Sequence, residues 1–399
     1  MVSERKVRFS YAQLNQLCMD AFQKFGFTEA KAKIITDVLL TADLYGIQSH
    51  GMQRMVRYYK GIQKGTMKVA AEPEVVFDTP VSAVVDGHDG MGQLNGHFAM
   101  NLAIEKAKKI GVGIVTVRNS NHYGIAGYYA RMAAEAGMLG FSVTNSEAIV
   151  VPTYGKKAMI GTNPQAWCMP ADPYYFFFDG STSVVTRGKL EMYNKMAEPI
   201  PDGWALDADG VESNNAAEVL ANITQKAGGG ILPLGGSDKA HGSHKGYGNA
   251  MVAEIFSSIL SLGTTSDQTM MNNKSGISHG FMAINLAAFG DKDAIIKHMS
   301  EYLQALRDSP KAKGQKRIYT HGEPEYGFVA DRKQNGIPVI DKTMTEVYDL
   351  CHYLKLSPTG RSFTTSQMTN SSICVICNKS LANVEPTDPS PTSKTLFVI

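Results

Sequence analysis

Ser49-His50-Gly51 and Arg54 are the residues in this 399-residue chain whose types and spacing most suggest chemistry. An imidazole titrates near neutrality and can pass a proton in either direction. A guanidinium can hold a carboxylate through two parallel hydrogen bonds. His50 and Arg54 are four apart, so a helix opening at Ser49 would set both on one face, with the Ser49 hydroxyl placed to orient the ring. Such a set suits proton transfer beside an anionic substrate. On spacing alone, a surface helix capped by Ser49 is the simpler description.

Further polar clusters follow predicted strands. They are Asn119-Ser-Asn-His122-Tyr-Gly124, Thr144-Asn145, Gly161-Thr-Asn-Pro164 and Asp179-Gly-Ser-Thr-Ser183. Ligands of open α/β sheets gather at the carboxyl ends of strands, so these clusters are suggestive together. Gly90-Met-Gly92-Gln-Leu-Asn-Gly96 sits between a strand and a helix, where a dinucleotide fingerprint would lie. Its spacing is one residue too long, and the next strand ends in Arg118-Asn119 with no acid for the ribose hydroxyls. A turn that lets helix and strand pack closely is the better reading. A second loop, Gly235 to Gly248, places Lys245 before an apolar helix, where it could meet a phosphate or carboxylate; most such lysines are simply solvated. No HExxH, paired CxxC or carboxylate cluster calls for a catalytic metal. Cys374-Val-Ile-Cys377 lacks the two further ligands of a zinc site and reads as two free thiols.

The elements that must carry these residues are well signalled. Ser10 with Gln13 forms a capping-box pattern ahead of a helical stripe through Phe25; further helices follow from Thr28 and from Ser49. Strands are expected at Ser82–Asp86, Val112–Val117, Leu139–Thr144 and Tyr174–Asp179. Helices are expected through Phe98–Ile110, Gly127–Gly137, Tyr247–Leu262, Lys292–Leu306 and Met344–Leu354. The alternation predicts α/β layering with mostly parallel pairing. From about Gly360 a Ser/Thr/Asn/Pro-rich stretch reads as a flexible tail.

Composition narrows the classes. Apolar residues are 43% and charged residues 19%, which excludes an intrinsically disordered chain. The 39 basic and 37 acidic residues give a net charge of +2, which argues against nucleic-acid and membrane-surface partners. No apolar run approaches the roughly 18 to 20 residues that cross a bilayer, and the charged N-terminus is no signal peptide. Five scattered cysteines do not form a disulfide framework, so a reducing, cytoplasmic location is expected. Length alone allows two or three domains. Of 38 glycines, 24 fall between Gly87 and Gly248, a surplus pointing to loops that approach something closely.

The ordered set of motifs resembles the malate/L-lactate dehydrogenase family that is unrelated to the Rossmann-type enzymes of those names. Its relatives include ureidoglycolate, sulfolactate and diketogulonate dehydrogenases and a cyclic-imine reductase. The stretches that carry the resemblance are Gly46–Arg54, Arg118–Gly124, Gly161–Pro164, Asp179–Lys189, Ile200–Gly210, Leu232–Gly236, Lys245–Gly248 and Gly322–Glu325, spread over roughly residues 8 to 340. The resemblance implies an α/β, non-Rossmann mixed-sheet NAD(P)-dependent oxidoreductase fold with a helical N-terminal part, acting as a homodimer. It implies His50 as proton donor oriented by Ser49, with Arg54 on the substrate carboxylate and Thr162 also at the substrate. It implies dinucleotide or substrate contacts from His122, Tyr123, Gly124, Ile125, Ala126, Asp179, Gly180, Ser181, Arg187, Gly188, Lys245 and Gly246. The Arg317 to Glu323 stretch, with Gly322, would close over the cofactor. Two departures stand out: Asp179-Gly180-Ser181 replaces the common Asp-Met-Ala, and Lys189 stands where the imine reductase carries an acid.

The expected organisation is a helical part (1–75) packing with a C-terminal segment (about 290–358), an α/β cofactor core (76–289) and a tail (359–399). The expected activity is hydride transfer between NAD, or NADP, and a small 2-oxo/2-hydroxy acid of the malate or L-lactate type. A second carboxylate would need another cation, with Arg57 and Arg118 as candidates. The alternatives are reduction of a cyclic imine or sugar-derived keto acid, or a non-catalytic dimeric ligand-binding protein.

Overall fold

The computed structural model describes residues 6–356. The Cys374–Cys377 pair and the expected tail lie outside the described residues. The chain opens with β1 (Lys6–Phe9), α1 (Tyr11–Lys24), α2 (Glu29–Leu44) and α3 (Met55–Gln63). α1 starts where the capping box places it: the Ser10 hydroxyl accepts from the Gln13 N–H at 3.2 Å, and Gln13 reaches back to the Ser10 N–H at 2.9 Å. Its stripe of Leu14, Leu17, Cys18, Ala21 and Phe22 is buried. Leu14 and Phe22 are fully enclosed, each worth roughly 1.5–3 kcal/mol of transfer free energy.

The central part contains β2 (Glu74–Asp78), β3 (Ser82–Asp86), α4 (Gly92–Ile110), β4 (Val112–Ser120), α5 (Ala126–Glu135), β5 (Met138–Thr144), β6 (Gln165–Met169) and β7 (Phe176–Gly180). A smaller lobe adds α6 (Arg187–Met196), β8 (Ala205–Leu206), α7 (Ala216–Gln225), β9 (Gly230–Ile231) and α8 (Ser243–Glu254). α8 continues as a wider π-type turn over Ile255–Ile259. β10 (Ile277–Asn285), α9 (Lys292–Asp308), α10 (Glu323–Asn335), β11 (Ile337–Ile340) and α11 (Asp341–Tyr353) complete it. No helix among the described residues is long and apolar enough to cross a membrane.

The main sheet has the order β2-β3-β4-β10-β5-β6-β7. The expectation of mostly parallel pairing is corrected here: β3–β4 is parallel, and every other neighbouring pair in this sheet is antiparallel. The physical reason is β10. It inserts between β4 and β5, antiparallel to both, so those two strands run the same way without touching as neighbours. β3, β4 and β5 therefore still point their carboxyl ends to one rim of the sheet, as parallel strands would.

Helices press closely on this sheet. A side chain at Gly113 of β4 would lie 2.0 Å from the Ala103 carbonyl, and one at Gly140 of β5 lies 2.0 Å from that of Ala130. Part of the glycine surplus thus serves helix–sheet packing. One continuous core runs from Phe9 through the sheet to Cys351. β1 pairs antiparallel with β11, tying the two ends of the described chain together. A separate core, including Ile149, Leu190, Val219, Ile223 and Ile231, supports the smaller lobe.

Candidate active site

α2 ends at Leu44, and the chain then makes two 3-10 turns, Gln48–His50 and Met52–Arg54, before α3 begins at Met55. The helix expected from Ser49 is thus corrected: Gly51 is extended (φ −84°, ψ −151°) and interrupts it. The cause is Asp43, whose carboxylate accepts the Met52 N–H at 2.8 Å. That carboxylate fills the space beside Gly51, where an added Cβ would lie 1.9 Å from Oδ1. Arg332 from α10 donates to the Asp43 carbonyl and holds the arrangement from behind. His50 and Arg54 reach one cavity without sharing a helix face.

That cavity has a volume of about 430 Å³ and lies at the rim to which β4 and β5 point. Ser49, His50, Arg54 and Arg57 line one side; His122, Tyr123, Gly124, Thr144 and Asn145 line the sheet side; Thr162, Arg187, Gly188 and Glu191 come from the smaller lobe and its approach. His50 Nδ1 lies 2.8 Å from the Ser49 hydroxyl, and Arg54 Nε donates to the Ser49 carbonyl at 2.6 Å. The His50 ring stacks on His122, centroids 5.3 Å apart at 27°. Burial, then Arg54 and Arg57, lowers the His50 pKa to about 4, so the free ring is neutral at pH 7. Arg118 is not in the cavity: Asp86 accepts from its Nε at 3.0 Å. Arg57 is exposed on the cavity wall and has no acidic partner among the described residues.

The family model described as malate/L-lactate dehydrogenase matches residues 9–348. The chain belongs to that family. It is 43% identical over 351 residues to a malate dehydrogenase of Pyrococcus abyssi, covering 88% of this chain and 95% of that one. It is 36% identical to an L-sulfolactate dehydrogenase of Methanocaldococcus jannaschii over 86% of this chain and 96% of the relative. The crystal structure of malate dehydrogenase from Entamoeba histolytica superposes with a TM-score of 0.85 at 35% identity, covering 88% and 99% of the two chains. The protein is therefore a 2-hydroxy acid dehydrogenase that works with a nicotinamide cofactor.

The residues implied by the family motifs fall into several places. Those named above as cavity lining come together; Ile125 and Ala126 are buried at the start of α5, behind the wall. Asp179 accepts the Gly127 N–H at 2.7 Å at the N-terminal end of α5, with Gly180 ending β7 and Ser181 just beyond it. Burial raises the Asp179 pKa to about 6. Lys245 and Gly246 lie inside the first turn of α8, lining a second cavity of about 350 Å³ with Lys239, His241 and His244. Arg317 pairs with the buried Glu323, while the Phe177 N–H donates to the His321 carbonyl at 3.2 Å. Gly322 packs on Phe177, so this stretch borders β7 and lines neither cavity. The GxGxxxG loop packs, too: a side chain at Gly92 would strike the Asn121 and His122 carbonyls at 2.2 and 2.4 Å.

Sequence reasoning passed over Asp43, Tyr58 and Gln93. Tyr58 follows Arg54 by four residues on what becomes α3, a spacing that could have flagged it. Gln93 and Asp43 carry no such signal, because Gln93 meets Tyr58 35 residues away and the Asp43 carboxylate meets the Met52 N–H across a loop, at no helix or strand spacing.

Proposed function

We propose that the chain interconverts a dianionic 2-hydroxy acid of the malate type and its 2-oxo acid, with His50 as proton donor and acceptor. The observation that carries this reading is the pairing of Arg54 with an acid-free Arg57 on the cavity that holds His50. One guanidinium can hold the carboxylate next to the reacting carbon and the other the second anionic group; a lactate-type monoanion would leave Arg57 without a counter-charge. Ser49 orients the His50 ring. Thr162, whose N–H donates to the Ser146 hydroxyl in the cavity lining, is the proposed further substrate contact.

The residues fit the cofactor the family uses. α6 opens onto the cavity at Thr186–Gly188 with no side-chain cap, so its first amide groups and the helix dipole are available to a phosphate. Nothing but the Thr186 hydroxyl, at 3.8 Å, lies near the missing Gly188 side chain. When bound, a nicotinamide supplies or accepts the hydride. The residues of the chain fix the carboxylate, hold the carbonyl against His50 and move the proton; such positioning can lower a barrier by roughly 7 kcal/mol or more. NAD is the proposed dinucleotide, with NADP as the other arm of the assay. The proposal extends to a homodimer and a cytoplasmic setting, the latter supported by buried free cysteines Cys18, Cys168 and Cys351.

The test is a panel of oxaloacetate, pyruvate and cyclic imines with NADH and NADPH. His50→Ala is expected to lower kcat by about 10²- to 10⁴-fold; a rate within a few-fold of the parent removes His50 from the role. Arg57→Gln is expected to raise KM for oxaloacetate at least about tenfold, the loss of one charged hydrogen bond, and to leave pyruvate reduction nearly unchanged.

A further inference from the structure

We propose that Tyr58, backed by Gln93, is a positioning residue that fixes His122 in the tautomer with its proton on Nε2. The second imidazole of the cavity would then meet an oxygen of the bound 2-oxo acid as a hydrogen-bond donor. This role for the donor rests on the substrate reading of the cavity given above; the tautomer itself does not.

The argument starts at His122 Nδ1. The Tyr58 hydroxyl lies 2.8 Å from it, and the Gly124 N–H is directed at the same nitrogen from 3.4 Å. A backbone N–H can only donate, so Nδ1 is the acceptor nitrogen of the ring and Tyr58 donates to it. The Tyr58 oxygen in turn accepts from the Gln93 side-chain amide at 2.9 Å. Turning that amide over would make Tyr58 donate to Gln93 instead. His122 Nδ1 would then carry the proton and face the Gly124 N–H, donor against donor. The observed order, Gln93 to Tyr58 to His122, avoids this conflict, and it leaves Gln93 Oε1 buried with no partner among the described residues.

The relay is enclosed, which gives it its stiffness. Tyr58 is 1% exposed and Gln93 0%, so water does not compete for either group. Burial lifts the Tyr58 phenol to about 12, which keeps its proton available for donation at neutral pH. Burial and the neighbouring Arg57, His50 and Arg54 hold the His122 pKa well below the usual range, so the ring carries one proton. With Nδ1 occupied from two sides, that proton belongs on Nε2, which has no partner among the described residues. The two stacked imidazoles thus divide their work. His50, oriented by the Ser49 hydroxyl, exchanges a proton, and His122 donates a hydrogen bond without titrating.

Histidine 15N NMR on the full chain at pH 7, with His122 assigned through His122→Asn, tests this directly. The expected spectrum has an unprotonated, pyridine-type Nδ1 and a protonated Nε2. Tyr58→Phe, which removes one oxygen, is expected to shift the His122 signals towards a mixed tautomer. It is also expected to lower kcat about tenfold, the loss of one hydrogen bond in the transition state, with KM for NADH within about threefold of the parent. Gln93→Leu is expected to act in the same direction by less. A proton on Nδ1 in the parent overturns the proposal, as does a Tyr58→Phe protein whose His122 signals and kcat match the parent. The NMR reading needs no turnover, so failure of the substrate assignment, seen as an active His50→Ala, stays distinguishable from failure of this one.

Discussion

At the scale of single residues, the cavity keeps His50 neutral until something arrives to change its field. Two nearby guanidinium groups oppose a proton on the ring, and burial opposes it further, giving a pKa of about 4. An entering dianion offsets the positive charge of Arg54 and Arg57, and the ring becomes easier to protonate beside the carbonyl that needs the proton. Direction therefore matters for the pH profile. Oxidation of the hydroxy acid needs His50 as an unprotonated acceptor, so kcat/KM is expected to stay level from pH 8 to 5. It should then fall by about tenfold per pH unit below about 4. Arg57→Gln removes a like charge, raises the ring pKa and moves that inflection upward. Initial rates across pH 3.5 to 8 would show it, and an inflection near the ordinary histidine value in the parent would contradict this picture.

Secondary-structure elements set where those residues stand, and here space counts for more than conformational preference. Gly51 has an ordinary negative φ of −84°, so its requirement is volume: the Asp43 carboxylate already occupies the place of a side chain. Gly51→Ala is expected to cost about 1–3 kcal/mol, as overpacking does, and to lower kcat/KM more than tenfold by displacing Ser49 and His50. Gly327→Ala, on an open face of α10 with nothing within 4 Å, is the contrasting variant. It should gain about 0.5–1 kcal/mol from helix propensity with activity unchanged. Thermal melts and steady-state assays on the pair separate the two outcomes. Gly51 also shows what a sequence conceals. The capping box of α1 lies within four residues and was legible; the break at Gly51 depends on a carboxylate folded underneath it and on Arg332 nearly three hundred residues away. α10 escaped notice for a related reason: its buried side chains are Glu323 and Arg332, which leave no apolar stripe to read.

In the whole molecule, the same limit appears in β10, whose partners β4 and β5 lie more than a hundred residues earlier. Strand patterning records which face is buried but not which strand lies alongside, so the direction of β3, β4 and β5 was readable and their neighbours were not. The polar clusters at the strand ends were readable because rim positions are set by direction. The fold also buries ionisable groups of both kinds, and they pull stability in opposite directions. His50 and His279, with native pKa values of about 4 and about 3, bind fewer protons folded than unfolded, so their contribution falls as pH drops below about 6.5. Asp43 and Asp179, raised to about 7 and about 6, bind more protons folded than unfolded. Their contribution therefore grows as pH falls from about 7 towards the ordinary carboxylate value, and partly offsets the histidines. Asp43→Asn leaves an acceptor for the Met52 N–H and removes the titration. Relative to the parent, this variant is expected to gain stability at pH 8, where the buried charge is otherwise present, and to lose that advantage by pH 5. Calorimetric melting temperatures of both proteins at the two pH values decide it: a difference between variant and parent that is the same at pH 8 and pH 5 would show that Asp43 does not titrate between them.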